Sequence, residues 1–574
     1  MFEVGIPRCI KKSRHKSALR RHWIGAGTAG VLALAASLAL PAVGHAIPAD
    51  AVYVSGSTGS DSAPGTESSP MRTIAAGIRK AATGKTVVVR AGTYNEQLLI
   101  DRTMTLEGYP GESVWLDGSV PVGGWSASGS TWVVPWSIRF DHSTSYSRGD
   151  TSTWFLDPAH PMAAWPDQVF IDGSALHQVG SASQVGPGTF YADYSAARLR
   201  IGTSPSGHQV RASNRTQALY VTAPNVTLQG LGVRRYATPI PDNGAVRMGS
   251  SGGVVRNMTI VDNATIGLSL RNNNITVDHV TVQRNGMLGI GGNAVYGLRL
   301  TNSVVQDNNV ERFKPAPVSG GVKITRSRGV VVSGNDVSGN AGTGIWFDES
   351  CYGITVARNV ANNNAAAGIE VELSDTAIIA SNRTTGNKVV GILLFDSGNV
   401  RLFNNEMGGN GVFGVQLSQD ERRNSNTSLT GHDPALPNPD PTVPWLVRNV
   451  VLSNNVFGSG GLFQFYVLDK RTRIPADSMN ITINGNLFNR WTGTGQAKMV
   501  AWGGGDNVTL TYFNSPDALA QAKNGGWRNA AVDPIALGSM GPAMSASVAV
   551  AVGLPSDIAA ALGQPVGARK LGRF

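Results

Sequence analysis

Three short segments carry charged residues at spacings that could do chemistry: Val322-Lys323-Ile324-Thr325, Ile345-Trp346-Phe347-Asp348 and Ile369-Glu370-Val371-Glu372. Apolar and other residues alternate in each, the period-two pattern of a half-buried strand. If Val322, Ile345 and Ile369 face inward, Lys323, Thr325, Trp346, Asp348, Glu370 and Glu372 share an outward face. Strands laid side by side are about 4.8 Å apart, and alternate residues along one strand are about 6.6–7 Å apart. Asp348 and Glu372 are then near neighbours, with Glu370 roughly 7 Å from Glu372.

Stacked carboxylates repel, so at least one is expected to hold its proton above the usual range. One protonated and one ionised carboxyl is what general acid–base chemistry needs. Carboxyl pairs that hydrolyse glycosides sit about 5–5.5 Å apart in retaining enzymes and about 6.5–9.5 Å apart in inverting ones; the spacing here leaves both open. Trp346 offers a flat platform for a sugar ring. Asp348, Glu370 and Glu372 also form an oxygen-rich set that could bind Ca²⁺. Lys323 would then abstract the α-proton of a uronate, with Arg271 and Arg326 as clamps for substrate carboxylates. Asp396, at the end of the next segment, reads equally as a turn residue or a site residue. His177 and His279 stand singly and read as structural or surface residues.

The elements that must position these residues show in the glycines. Gly244, Gly267, Gly289, Gly321, Gly344, Gly368, Gly391 and Gly414 open successive apolar segments at steps of 23, 22, 32, 23, 24, 23 and 23 residues. The long step contains a Pro-bearing loop, Val310–Ser319. A second column, Asn335, Asn359, Asn382 and Asn405, keeps the same period and continues at Asn455 and Asn486. A leucine-rich repeat would need Leu-x-x-Leu-x-Leu-x-x-Asn, which these segments lack. Stacked β-coils with a hydrogen-bonded asparagine ladder at a turn fit instead. The fold expected is all-β: a parallel β-helix with a β-rich insertion and short helical caps.

Residues 1–46 read as an export leader, with seven Lys and Arg ahead of an apolar run from Trp23 to Ala42 and small residues Gly44 and Ala46 after it. Arg20-Arg21 leaves Sec and twin-arginine export both open, and a retained membrane anchor is the alternative. The chain carries 48 Lys and Arg against 38 Asp and Glu. Without the leader, which holds one acid, the balance is 41 to 37, too even for nucleic acid as a partner. Cys9 lies in the leader and Cys351 stands alone beyond it, so no intramolecular disulfide is expected and Cys351 reads as a packed thiol. The mature chain is expected to be secreted or at the cell surface, monomeric, and not inserted in a membrane.

The opening Tyr53-Val54-Ser55-Gly56, Ser69-Pro70-Met71-Arg72-Thr73-Ile74 and Ala91-Gly92-Thr93-Tyr94 resembles the entry into right-handed parallel β-helices of the pectate-lyase-like and polygalacturonase-like superfamily. Val169-Phe170-Ile171-Asp172-Gly173 and Pro187-Gly188-Thr189-Phe190-Tyr191 are similar to modules of some carbohydrate-active members. The resemblance implies carbohydrate chemistry: hydrolysis, β-elimination on uronates, or epimerisation. Some calcium-dependent lyases of this kind use a similar Glu-x-Glu strand. The Asn-Thr-Asp, Gly-His-Gly and Arg-Ile-Lys motifs of polygalacturonases and the Trp-Ile-Asp-His motif of pectate lyases are missing.

The domains expected are a signal peptide (1–46), an N-terminal cap and first coils (47–118), a β-rich insertion (119–212), the parallel β-helix (213–515) and a C-terminal capping tail (516–574). The function expected is a secreted glycoside hydrolase using Asp348 and Glu372, with Glu370 auxiliary and no cofactor. A calcium-dependent uronate lyase or epimerase is the alternative, and a non-catalytic glycan-binding or surface-structural β-helix is a third reading.

Overall fold

The computed structural model describes residues 46–489, 499–506, 509–533 and 535–574. The leader reading, Cys9 included, lies outside the described residues apart from Ala46. From strand Val52–Val54 onward the chain winds into a stack of coils, each contributing one strand to each of three faces. Among the described residues two faces are sheets of thirteen strands. The third runs from Gly92–Tyr94 to Val304–Gln306, crosses single bridges at Asp336 and Val360, and resumes at Arg383–Thr385. Pairing between coils is parallel, as coils wound in one direction require.

The alternation read from the sequence decides what is buried. Leu268, Val322, Ile345, Ile369, Ile392 and Val415 point into a continuous core that runs from Val54 to Leu519. Three ladders hold the corners. Asn335, Asn359, Asn382, Asn405, Asn455 and Asn486 each donate Nδ2 to the Oδ1 of the next, at 2.9–3.1 Å, as the sequence column suggested. A second ladder runs through Asn263, Asn285, Asn308, Asn340, Asn364, Asn387 and Asn410. It explains the glycine column: a Cβ on Gly267, Gly344 or Gly391 would lie 2.7–2.8 Å from the Nδ2 of Asn285, Asn364 or Asn410. The third corner carries hydroxyls and one thiol: Val295 N–H donates to Ser327, Ser327 N–H to Cys351 Sγ at 3.4 Å, and Ser374 N–H to Ser397. Cys351 is the packed thiol expected, and burial pushes it up to about 12.

The insertion leaves the stack after Ser119 and returns at Ser213 as two small sheets around Val169, Phe190, Leu199, Ile201 and Val210. Trp125, Trp132 and Trp136 pack against that core, Trp165 stacks on His142, and Trp154 stays 67% exposed. Its loop reaches the β-helix through Phe155, Leu156, Ala163 and Ala164, which join Met287, Phe313 and Val318.

Helix Ile74–Lys80, capped by Thr73, closes one end of the core. At the other end Leu510–Phe513 turns antiparallel and helix Pro516–Lys523 buries Leu519 against the last coils. The last tail helix, Ser556–Leu562, differs from the cap expected of the tail. Ile558, Ala559 and Leu562 pack on Ala357, Ala380 and Phe403, so the tail runs back along the flank of the stack. Gly458–Met479 contains strand Phe463–Asp469 and is mostly another coil.

Candidate active site

Strands Gly320–Thr325, Thr343–Asp348, Ala367–Glu372, Val390–Phe395 and Phe413–Gln419 are consecutive in one long sheet. Their register stacks Lys323, Trp346, Glu370 and Leu393 in one outward column. The next outward column holds Thr325 opposite Asp348 and Glu372 opposite Phe395, and the register between them continues from Phe347–Val371 to Asp348 beside Glu372. The sequence therefore predicts the juxtaposition of these side chains correctly.

It does not predict their burial. Lys323, Trp346, Asp348, Glu370 and Glu372 face away from the core, yet none is more than 9% exposed. Two loops cover them. The Val310–Ser319 loop brings the Pro317 carbonyl onto Lys323 Nζ. The loop after Gln419 brings Arg422, which forms ion pairs with Glu372 at 2.7 Å, Asp396 at 3.0 Å and Asp420 at 2.9 Å. Lys323 Nζ also binds Asp348 Oδ2 at 2.8 Å and lies 3.4 Å from the Trp346 ring centroid. Asp348 Oδ1 accepts the Glu349 N–H at 2.7 Å, and Thr343 Oγ1 donates to Glu370 at 2.9 Å.

Two cations thus face five carboxyls: Asp348, Glu370, Glu372, Asp396 and Asp420. They cannot all be ionised in so dry a place. Burial pushes Glu372 up to about 8, with the Asp348 charge adding to it. The contact with Arg422 pulls the other way and does not prevail. Glu370 rises to about 7, mainly through burial. Asp396 rises to about 9 through burial and through Asp420. Burial opposes the ionisation of Asp420, but hydrogen bonds from Asp396 and Arg422 hold it low. The raised carboxyl expected from like-charge stacking is present, with burial as the larger cause.

Several assignments change. Trp346 is covered by the Lys323 ammonium, so its face is not open to a sugar ring. Arg326 is engaged by Glu349 at 3.0 Å rather than free as a clamp. Asp348, Glu370 and Glu372 each turn to a different partner, and among the described residues no three His, Cys, Asp or Glu side chains are grouped to hold a metal ion. Asp396 is a fully buried member of the cluster. Arg422 and Asp420 escaped sequence reading because nothing in a loop's sequence states which coil it covers. His279 binds Asp278 at 2.6 Å and His177 is exposed, both away from the cluster. Among the described residues no helix is long and apolar enough to cross a membrane.

Comparison with known proteins bears on the architecture. Residues 244–407 match the family described as "Right handed beta helix region", and residues 57–100 match "Protein of unknown function (DUF1565)". No curated protein matches the chain. Among solved structures, the complex of XylC with xylose is 17% identical, covers 80% of this chain and 86% of its own, and has a TM-score of 0.62. A glycoside hydrolase is 11% identical, covering 62% and 96%, at a TM-score of 0.41. The Azotobacter vinelandii mannuronan C-5 epimerase AlgE6 A-module is 12% identical, covering 75% and 93%, at 0.42. The repeat, the ladders, the family match over the central coils and the likeness to XylC agree: the chain folds as a right-handed parallel β-helix.

Proposed function

We propose that the protein is a polysaccharide-active glycoside hydrolase in which Glu372 donates the proton to the leaving oxygen and Asp348 is the carboxylate partner. The observation that carries this reading is the contrast between two neighbouring carboxyls. Asp348 is held as an ion pair by Lys323, whereas burial and the Asp348 charge keep a proton on Glu372. A proton donor beside a carboxylate is the pairing that glycosidic bond cleavage uses. Asp348 then acts as nucleophile, or as the base that activates water. Glu370, held by Thr343, supports the donor's charge state, and Arg422 orients Glu372. The likeness to XylC, whose structure holds xylose, supports a sugar as ligand. The leader residues support export, with action outside the cell as a monomer.

The test incubates the chain from Ile47 with neutral and acidic polysaccharides, with Ca²⁺ and with EDTA. Reducing ends and the ultraviolet absorbance of unsaturated uronate are followed together. Reducing ends without absorbance, lost in Glu372→Gln and Asp348→Asn, are expected. Absorbance that EDTA abolishes would replace hydrolysis by elimination. Binding without turnover, unaffected by either substitution, would make the protein a glycan-binding β-helix.

A further inference from the structure

Lys323 is a buried ammonium, its side chain 9% exposed, and its donors are all engaged. One goes to Asp348 Oδ2 at 2.8 Å, one to the Pro317 carbonyl, and the remaining face lies on the Trp346 ring. Asp348 and Trp346 stand on the sheet, where strand register fixes them. Pro317 belongs to the Val310–Ser319 loop instead, and its carbonyl arrives only if that loop is held in place. Asn309 anchors the start of the loop by exchanging hydrogen bonds with Phe313. Past Phe313 the loop turns to the insertion. Lys314 N–H donates to the Phe155 carbonyl at 3.0 Å and Lys314 Nζ donates to the Thr153 carbonyl at 3.1 Å. Phe313 and Val318 pack with Phe155, Leu156, Ala163 and Ala164.

The insertion presents those two carbonyls on a segment closed at its base. Tyr194 clamps both ends, accepting from the Phe140 N–H at 3.0 Å and donating to Asp167 at 2.8 Å. Between them Arg148 ties the segment to Asp242 on the stack. From Lys314 to Pro317 the loop reads Lys-Pro-Ala-Pro. Proline fixes φ at about −65°, so two of these four residues absorb little displacement and a shift at Lys314 is carried to the Pro317 carbonyl. Losing that carbonyl leaves a charged donor unsatisfied in a dry place, which costs more than the hydrogen bond itself contributes. The ammonium then turns toward water and away from Asp348.

We infer that the insertion positions the Lys323 ammonium over Asp348, with Lys314 and Phe155 as the tether, so that Lys314 is a positioning residue for a reaction it does not touch. The inference rests on the hydrolase reading only for its effect on turnover. Lysine labelling of the full mature chain tests it without a substrate. Acetic anhydride is added at a trace level, and acetylation is followed peptide by peptide in the mass spectrometer, with exposed Lys388 as the internal standard. In the parent chain Lys323 is expected to label about tenfold more slowly than Lys388. Lys314→Met should bring Lys323 to within about twofold of Lys388, whereas Lys314→Arg, which can still donate to Thr153, should keep the protection. Phe155→Ala cuts the tether from the insertion side and should act as Lys314→Met does. On a polysaccharide that the chain hydrolyses, Lys314→Met should lower kcat about tenfold and leave KM within about twofold. The inference is overturned if Lys323 labels as fast as Lys388 in the parent chain, or if neither Lys314→Met nor Phe155→Ala raises its rate. Faster labelling of Lys323 with an unchanged kcat would uphold the tether and sink only the role given to Lys323 in hydrolysis.

Discussion

Arg422 Nη1 lies 2.7 Å from Glu372 Oε1, and through the same guanidinium Glu372 is tied to Asp396 and Asp420. A loop cation therefore moderates, without overriding, the proton affinity that burial gives a carboxyl on the sheet. Arg422→Met should remove the cation that Glu372, Asp396 and Asp420 share and cost about 3 kcal/mol. Thermal unfolding measures the cost. The same variant should raise the proton affinity of Glu372 further, so the alkaline limb of its pH–rate profile should move up; a limb that stays put would separate Arg422 from the donor.

Stability should fall as pH rises. Glu372 and Asp396 hold protons in the folded state up to about 8 and about 9, against ordinary values of 4.5 and 3.8. Between those limits the folded chain binds more protons than the unfolded chain, so the unfolding free energy declines with pH. Below about pH 4 both states are protonated at these positions and this slope vanishes. Melting curves from pH 5 to 9 should show the decline, and Glu372→Gln should make it shallower. A melting temperature that climbs over this range would contradict the protonated donor.

Lys323 neutralises Asp348 at 2.8 Å and covers Trp346. Lys323→Met should therefore lower kcat by at least about a hundredfold, the scale of misplacing one catalytic group. Lys323→Arg should recover part of it. If Lys323→Met left kcat intact, Asp348 would not need its cation.

The second asparagine ladder predicts a coupled pair. A Cβ at Gly267 would approach Asn285 Nδ2 at 2.8 Å and Val282 Cγ1 at 2.9 Å, all side-chain atoms. Gly267→Ala should destabilise by about 1–3 kcal/mol through overpacking. Asn285→Ala alone should cost about 1–3 kcal/mol by leaving Asn263 Nδ2 unsatisfied. The double variant should cost less than the two together, since the amide that crowds the added methyl group is gone. Strict additivity in denaturant unfolding would mean that the ladder does not dictate the glycine.

Much of this architecture was legible in the chain because a repeat writes each contact several times. Glycines near every 23 residues and alternating Ile, Val and Leu state which residues face the core, and parallel stacking then fixes Lys323 over Trp346 and Asp348 beside Glu372. The second ladder was equally legible in principle, since Asn340, Asn364, Asn387 and Asn410 each follow a first-ladder asparagine by the same short step. Tertiary structure alone decided the electrostatics. Whether Glu372 is solvated or buried depends on where the loop carrying Arg422 lands, and loop docking has no period to read. For the same reason the Pro317 carbonyl reached Lys323, while Arg271, among the described residues, was left without a carboxylate. Local periodicity dictates which side of a strand a residue takes, but its charge state is set by groups that are distant in sequence and unrelated to the repeat.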